Sequence, residues 1–445
     1  MLSTLKEKIS NKEAKVAIIG LGYVGLPLAV AFSAKGFETI GFDVSAKKIN
    51  TLNKGKSDIA DISDENLQEQ LATNFSVTAD MDAIVQADAV IICVPTPLTE
   101  TMEPDMSYIS NAMDMISQKV KKGVLISLES TTYPGTTREF ICKTMAERGF
   151  TLGKDFFACY SPERVDPGNK TYNTLNTPKV VGGVDVFSKD LGVQLYEQVI
   201  QEIVPVNSAE VAEMSKLLEN TFRSINIAFI NEMALLAEKM DIDIWETIEA
   251  ASSKPFGFMK FTPGPGIGGH CIPLDPMYLS WKARSKNFYS RFIELAHETN
   301  RLMPEKMIEH AALALNKHQK AINGSKILLV GMAYKENSND LRESPSLYVY
   351  ELLKQQGAKV DFCDPEANVF SDQNGDKQYS IDLEYNSFQK YDLVLLLTGH
   401  DVFDMQAIGK NSQLILDTKN MLAEQFDVKK VTYGKNNKGV QIAYE

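Results

Sequence analysis

Long apolar runs are absent from this chain. No stretch approaches the ~20 residues that a membrane-spanning helix needs, and the leading segment MLSTLKEKISNKEAK has no apolar core of the kind a secretory signal carries. A cytoplasmic protein with no membrane partner is expected. Excess positive charge is absent too. Lys and Arg number 46 against 58 Asp and Glu, a formal net charge of -12, which opposes attraction to nucleic acid or anionic lipid. An anionic small substrate stays open, because local Arg, Lys and backbone N–H groups decide its binding. Cysteine is scarce: five, scattered and odd in number, fit reduced thiols rather than a disulfide framework. No second Cys or His stands at ligand spacing from the adjacent His270 and Cys271, so no metal site is read. Low-complexity tracts are missing as well, and 44% hydrophobic with 23% charged residues is the make-up of a chain that folds. At 445 residues it has room for about three domains of ~150 residues each.

From residue 15 the pattern reads strand (KVAIIG), glycine-rich turn, helix (PLAVAFSAKG) and strand (ETIGFD), with later strands AVIICVP, GVLISLEST and FFACYSPE set between amphipathic stretches. Such alternation predicts a doubly wound parallel sheet. A long helical pattern opens near Asn207, read as its N-cap with Glu210 three residues on, and runs through MSKLLENTFRSINIAFINEMALLAEKM. At roughly 30 residues it exceeds the usual globular helix, so it links domains or packs on a second copy of itself. At NGSKILLVGMAY the alternation restarts, and KILLVG, SPSLYVYELLKQQG, KVDFCDP and YDLVLLLTGH repeat the order of the first sheet. The expectation is α/β: two Rossmann-like doubly wound parallel-sheet domains, 1–203 and 322–445, joined by a helical central domain, 204–321.

In GLGYVG, Gly20, Gly22 and Gly25 follow a strand and open a helix. The first permits the tight turn, the second lets backbone approach a pyrophosphate, and the third allows close helix–strand packing. The next strand ends in Asp43, about 20 residues on, where a carboxylate accepts from a ribose hydroxyl, which favours NAD over NADP. The second sheet has no such motif. There Gly331 precedes MAYKENSNDLRESPS, in which Ser344 caps a helix with Pro345 at its first position. This segment brings Lys335, Asp340 and Arg342 to the carboxyl edge, where cations suit a phosphate, although a solvated charged loop would read the same way.

Lys216 and Asn220 are four apart on the long helix and share a face, as an oxyanion-stabilising pair or as a surface pair. Glu163 and Arg164 follow a strand, again at a sheet edge. Cys93, Cys159 and Cys363 lie in strand-like apolar runs and Cys142 in a helical one, each reading as a small core residue. Cys271 stands apart, in PGPGIGGHCIPLDP, where glycine and proline exclude a regular element. A thiol is a capable nucleophile even when only a few per cent ionised. The glycines leave room for a substrate, and Asp275 is placed as base or orienter. His270 invites a Cys/His pairing, but neighbouring side chains on an extended loop diverge.

GLGYVGLPLA, VPTP, ESTTYPGTT, YSPER, KLLENTFRSINIAFINE, GPGIGGHCIPLDP and GMAYKENSNDLRESPS, in this order along essentially the whole chain, resemble the nucleotide-sugar 6-dehydrogenase family, the UDP-glucose and GDP-mannose dehydrogenases. SPERVDPGN and KPFGFMKFTPGPGIGGHCIPLDP resemble the branch acting on UDP-N-acetylhexosamines, UDP-N-acetylglucosamine foremost, with UDP-N-acetylgalactosamine, UDP-N-acetylmannosamine and UDP-glucose as alternatives. The resemblance implies an enzyme of polysaccharide biosynthesis with NAD as cofactor, a UDP-sugar as substrate and a homodimer through the long helix. NAD would lie on Gly20, Gly22, Tyr23, Val24 and Gly25, with Asp43 on the adenosine ribose, Pro95, Thr96, Ser130 and Thr131 on the nicotinamide side and Arg342 near the cofactor. Cys271 would attack the aldehyde formed by the first oxidation and carry a thiohemiacetal, then a thioester. Lys216 and Asn220 would hold the oxyanion, Asp275 assist proton transfer through water, Thr131 position that water and Glu163 act as acid or base. Substrate contacts fall on Glu163, Arg164, Lys216, Asn220, Phe258, Lys260, Gly268 and Lys335. UDP-glucose enzymes carry a second Glu soon after SPE, where this chain has Asp166 at different spacing; Asp166 and His270 are left without a role.

Two other readings compete. A single-oxidation β-hydroxyacid dehydrogenase needs neither the thiol nor residues 322–445, and a nucleotide-binding regulatory protein that has lost its chemistry has no use for Cys271, Lys216, Asn220 and Asp275 together.

Overall fold

The computed structural model describes residues 1–59, 61–99, 101–165, 171–422 and 430–435; Asp166 lies outside them. The chain divides into two compact units, Met1–Glu219 with Met277–Phe288, and Asn220–Pro276 with Tyr289–Glu445. Among the described residues no helix is long and apolar enough to cross a membrane.

The first unit holds eight strands: β1 (Val16–Ile19), β2 (Thr39–Phe42), β3 (Phe75–Thr78), β4 (Ala89–Ile92), β5 (Val124–Leu128), β6 (Phe156–Tyr160), β7 (Lys179–Gly183) and β8 (Ile203–Val206). They form one sheet in the order β3-β2-β1-β4-β5-β6-β7-β8. Side chains alternate between faces along a strand. Val16 and Ile18 of β1 accordingly join one apolar cluster with Phe32, Phe157 and Leu191, while Ala17 and Ile19 join another with Ile92, Ile116 and Ile126. Both faces are therefore covered, as a parallel sheet requires. The strand order reverses between β1 and β4, which opens a crevice at the carboxyl edge.

Two strands depart from the expected parallel pattern, β7 and the β8 that pairs parallel with it. β7 runs antiparallel to β6, with Tyr160 opposite Gly182 and Cys159 opposite Gly183. No crossover helix lies among the described residues between them, so the chain re-enters from the carboxyl edge and β7 begins there, at Lys179.

The second unit carries β9 (Lys326–Val330), β10 (Lys359–Cys363), a hairpin of β11 (Val369–Ser371) and β12 (Lys377–Tyr379), then β13 (Leu393–Leu396), β14 (Ile415–Asp417) and β15 (Lys430–Thr432). Its main sheet is ordered β10-β9-β13-β14-β15 and is parallel throughout. Ile327 and Leu329 pack with Met303 and Met307 of the Arg291–Asn316 helix, and Leu328 and Val330 pack with Val394 and Ile415 on the other face. The two doubly wound sheets and the helical centre read from the sequence are thus present.

The long helix spans Ala209–Lys239. Its cap is Ser208 rather than Asn207: the Ser208 hydroxyl accepts from Val211 N at 3.3 Å, one residue later than the sequence pattern placed it. Near its start, fully buried Glu213 accepts from Gly135 N (2.5 Å), Thr137 N (2.8 Å) and Thr137 Oγ1 (2.7 Å). This one carboxylate fastens the loop after β5 to the helix.

Burial pushes the Glu213 carboxyl up to about 7, the hydrogen bonds from Thr137 and Gly135 offsetting part of the effect. Between its ordinary value of 4.5 and about 7 the folded chain holds a proton that the unfolded chain has released, so this group's contribution to stability falls as pH rises through that window and is level above it. The whole span corresponds to at most about 3 kcal/mol. A Glu213→Gln variant loses that slope, so its melting temperature relative to the wild type should climb from pH 5 to pH 7. Parallel melting curves of the two proteins would refute this assignment.

Candidate active site

The residues singled out in the sequence lie on loops at the carboxyl edges of the sheets, on the long helix and on the loop between the Ile244–Ser252 and Asp275–Arg284 helices. In the first unit, Gly20 leaves β1 with φ +93°, and a Cβ there would lie 2.7 Å from the Cys93 carbonyl oxygen at the end of β4. Only glycine fits such a crossing. A Cβ at Gly25 would meet Gly20 O at 1.8 Å, whereas Gly22 has nothing within 4 Å. That is the distribution a pyrophosphate cradle calls for: packing at the third glycine and open space at the second. Asp43 follows β2 and reaches back to the same loop, accepting from Leu21 N at 3.1 Å and from Ser45 N at 2.9 Å.

Beside this loop, Ser130 Oγ donates to Val94 O at 2.7 Å, and Tyr278 OH donates to Thr96 O at 2.6 Å. Pro95, Thr96, Ser130 and Thr131 are thereby gathered where β4 and β5 end. The SPER segment after β6 is braced along its length. Ser161 Oγ donates to Val180 O (2.8 Å), Arg164 Nη1 to Pro178 O (2.8 Å), and Lys216 Nζ to Glu163 O (2.6 Å). The Arg164 guanidinium also pairs with Glu219 at 2.9 Å, and Glu163 Oε1 accepts from the backbone of Arg164 and Val165. The structure therefore unites Lys216 with Glu163, and it commits Arg164 to neighbouring protein groups.

In the second unit the Cys271 loop is shaped by what surrounds it. Asn231 Oδ1 accepts from Gly264 N at 2.9 Å, and Gly269 N donates to Arg342 O at 2.9 Å. A Cβ at Gly268 would fall 2.6 Å from Tyr334 Cβ, and Gly269 takes φ +86° against the Tyr334 ring. After Cys271 the chain turns at once into a helix, Asp275–Arg284, with Asp275 N donating to Cys271 O at 2.9 Å. Asp275 is buried and accepts from buried Asn220 at 2.5 Å. Cys271, Asp275 and Asn220 form one connected group.

The thiolate is disfavoured at the other four cysteines. Burial pushes Cys142, Cys159 and Cys363 each up to about 12 and Cys93 well above its ordinary value. None of the five forms a disulfide, and Cys271, like Cys93 and Cys142, is only partly buried.

A groove of about 470 Å³ opens beside the Cys271 loop, lined by Ile227, Lys260, Phe261, Gly264, Glu336 and Lys419 among others. Lys260 pairs with Glu249. Burial holds the Lys419 ammonium below its ordinary value, with Glu336 pulling it back. Phe258 and Lys335 are not among the lining residues, although Lys335 adjoins Glu336. The Arg342 guanidinium is paired with Asp340 at 2.6 Å. Ser344 caps its helix as expected, accepting from Ser346 N.

Sequence reasoning missed Lys419, Glu336 and Glu213. Lys419 sits just past β14 at a carboxyl edge, a position that could have drawn attention to it. Glu213 had no local signal, because its partners lie 76 and 78 residues away.

The chain matches the UDP-glucose/GDP-mannose dehydrogenase family in three successive domains: the NAD binding domain over residues 14–200, the central domain over 210–302 and the UDP binding domain over 328–424. It is 34% identical over 427 residues to a UDP-N-acetyl-D-glucosamine 6-dehydrogenase of Salmonella typhi, covering 94% of this chain and 99% of that one. It is 32% identical over 429 residues to a UDP-N-acetyl-D-mannosamine dehydrogenase of Methanococcus maripaludis, covering 94% and 95%. The structure superimposes on a UDP-D-ManNAc dehydrogenase from Pyrococcus horikoshii with a TM-score of 0.86 at 31% identity, covering 95% of this chain and 99% of that one. With the glycine cradle, the cysteine loop and these matches in place, the chain belongs to the UDP-glucose/GDP-mannose dehydrogenase family and is an NAD-dependent nucleotide-sugar 6-dehydrogenase.

Proposed function

We propose that the chain oxidises the 6-hydroxyl of a UDP-N-acetylhexosamine, UDP-N-acetylglucosamine first, to the uronic acid through a covalent intermediate on Cys271. The balanced reaction converts CH2OH, one water and two NAD+ to a carboxylate, two NADH and three protons. The observation that carries the reading is the Cys271–Asp275–Asn220 group: a partly exposed thiol in a glycine-shaped loop, backed by a buried carboxylate–amide pair, while burial disfavours the thiolate at each of the other four cysteines.

The residues of the Gly20–Gly25 loop and Asp43 would hold NAD, which when bound supplies the hydride acceptor for each two-electron step. Cys271 adds to the aldehyde carbon, so that the S–C bond forms as the carbonyl π bond opens to an oxyanion. Lys216 and Asn220 stabilise that oxyanion as donors. Loss of a hydride from the thiohemiacetal leaves a thioester, and water positioned by Thr131 and activated through Asp275 displaces the thiolate. Glu163 moves the proton at the substrate oxygen. Lys260 and Lys419, which line the groove, suit the diphosphate, with Lys335 next in the chain to Glu336 of its wall. Relatives named for UDP-N-acetyl-D-mannosamine keep that epimer as the second reading.

The division at 1–203, 204–321 and 322–445 accords with this chemistry: cofactor, thiol and nucleotide each on its own segment. The long helix leaves Val211, Met214, Leu218, Phe222, Phe229 and Leu236 exposed, an apolar face suited to a second copy of the chain. A cytoplasmic homodimer serving polysaccharide biosynthesis is the setting we infer.

With limiting UDP-sugar and excess NAD+, two NADH should form per UDP-N-acetylglucosamine, at a higher kcat/KM than with its galacto, manno or UDP-glucose counterparts. One NADH per sugar would reduce the enzyme to an alcohol dehydrogenase, and preference for another sugar would move the substrate. Cys271→Ser should abolish uronate formation while NAD affinity is kept; undiminished uronate yield would refute the thioester route. Phe229→Glu should halve the mass seen by sedimentation, and an unchanged mass would place the interface elsewhere.

A further inference from the structure

At the carboxyl edge of the first sheet lies a buried ion pair that the chemistry above does not use. Lys179 Nζ donates to Glu129 Oε2 at 2.7 Å, with 6% and 0% of the two side chains exposed. Tyr196 OH donates to Glu129 Oε1 at 2.5 Å and lies 2.8 Å from Ser127 Oγ, and the Lys179 ammonium stands 5.0 Å from the Tyr196 ring centroid. Removing two charges from water costs several kcal/mol, and attraction between them commonly does no more than offset it, so stability alone does not explain such a pair.

Its position in the chain does. Glu129 is the first residue past β5 and directly precedes Ser130 and Thr131. Lys179 opens β7, which runs antiparallel to β6, and that is why its side chain stands at the carboxyl edge rather than at the opposite end of the sheet. From there its ammonium reaches the Pro162 carbonyl at 3.5 Å, next to Glu163. The flanking residues bind the same segment: Pro178 O accepts from Arg164, and Val180 O from Ser161 Oγ. Burial pulls the Lys179 ammonium down, but the carboxylates of Glu129 and Glu163 outweigh it and keep it a cation.

We propose that Lys179 and Glu129 are positioning residues, a rigid strut that fixes the distance between the Ser130–Thr131 turn and the Glu163 segment. The inference rests on the reading that these two segments face the nicotinamide and the reacting oxygen. Neither strut residue touches the reactants. A displacement of about 1 Å between such groups can cost two orders of magnitude in rate while leaving binding intact.

The test compares full-length wild type with Lys179→Met, Glu129→Gln, the Lys179→Met/Glu129→Gln double variant and Tyr196→Phe. Each is assayed for melting temperature, kcat, and KM for NAD+ and for the preferred UDP-sugar. The single charge deletions should melt lower, since each strands a buried charge or its partner. The double variant removes both charges and should regain much of the lost melting temperature. Its kcat should nevertheless stay down by at least about ten-fold with each KM within about two-fold of wild type. Recovery of kcat together with melting temperature would reduce the pair to a structural element and overturn the proposal. Tyr196→Phe deletes the bond that orients Glu129, together with the Ser127 contact, but keeps both charges and the ring, so it remains informative if the charge variants fail to fold. It should lower kcat with KM unmoved, and wild-type kcat in it counts against the strut. No turnover of any UDP-sugar by the wild type would sink the functional reading and this inference with it, whereas active wild type with unperturbed variants sinks only this one.

Discussion

Where a parallel sheet ends, the loop leaving its first strand must cross the end of the neighbouring strand, and in both sheets of this protein the crossing leaves no space for a Cβ. Gly20 meets the Cys93 carbonyl oxygen, and Gly331, with φ +83°, would place a Cβ 2.1 Å from the Thr398 carbonyl oxygen. The backbone is forced into the left-handed region at each point, and the following residues are thrown outward over the strand ends. In one unit those residues are the GLGYVG cradle. In the other they are the 332–343 segment, whose Tyr334 and Arg342 shape the Cys271 loop. The same constraint, met twice, shapes two different loops at two sheet edges.

The loops so placed are held by side chains gripping backbone. Lys216 grips the Glu163 carbonyl, Asn231 the Gly264 amide and Glu213 the amides of Gly135 and Thr137. All three grips come from the long helix, Lys216 and Glu213 holding segments of the first unit and Asn231 one of the second. A helix suits this task because its own backbone bonds are satisfied internally, and side chains at successive turns project from a rigid frame. The two-step oxidation proposed above would need such rigidity, since the aldehyde would have to stay within reach of the thiol between the steps.

Buried polar groups here divide by consequence. His400 receives Asn337 N and faces Asp364, which also binds Met332 N and Ala333 N; this network orders the 332–343 segment. Glu129, Lys179 and Tyr196 do comparable work at the first sheet. Both networks sit at carboxyl edges, where loops rather than strands must be kept in place.

Much of this protein was legible in the amino-acid order. Alternating strand and helix patterns foretold both sheets, and glycine spacing foretold the tight turn after β1 to which Asp43 reaches back, because these signals are local and each residue's neighbours in sequence are also its neighbours in space. Cys271 was visible for the same reason: glycine and proline around it rule out regular structure whatever the rest of the chain does. The antiparallel entry of β7 was invisible, since apolar runs carry no strand direction. So were Glu213, Lys179 and Lys419, whose charges look like ordinary surface residues until folding sets partners dozens of residues distant beside them. Local conformational rules are written residue by residue, whereas the burial of a charge and the identity of its partner depend on which distant segments the fold brings to the same edge.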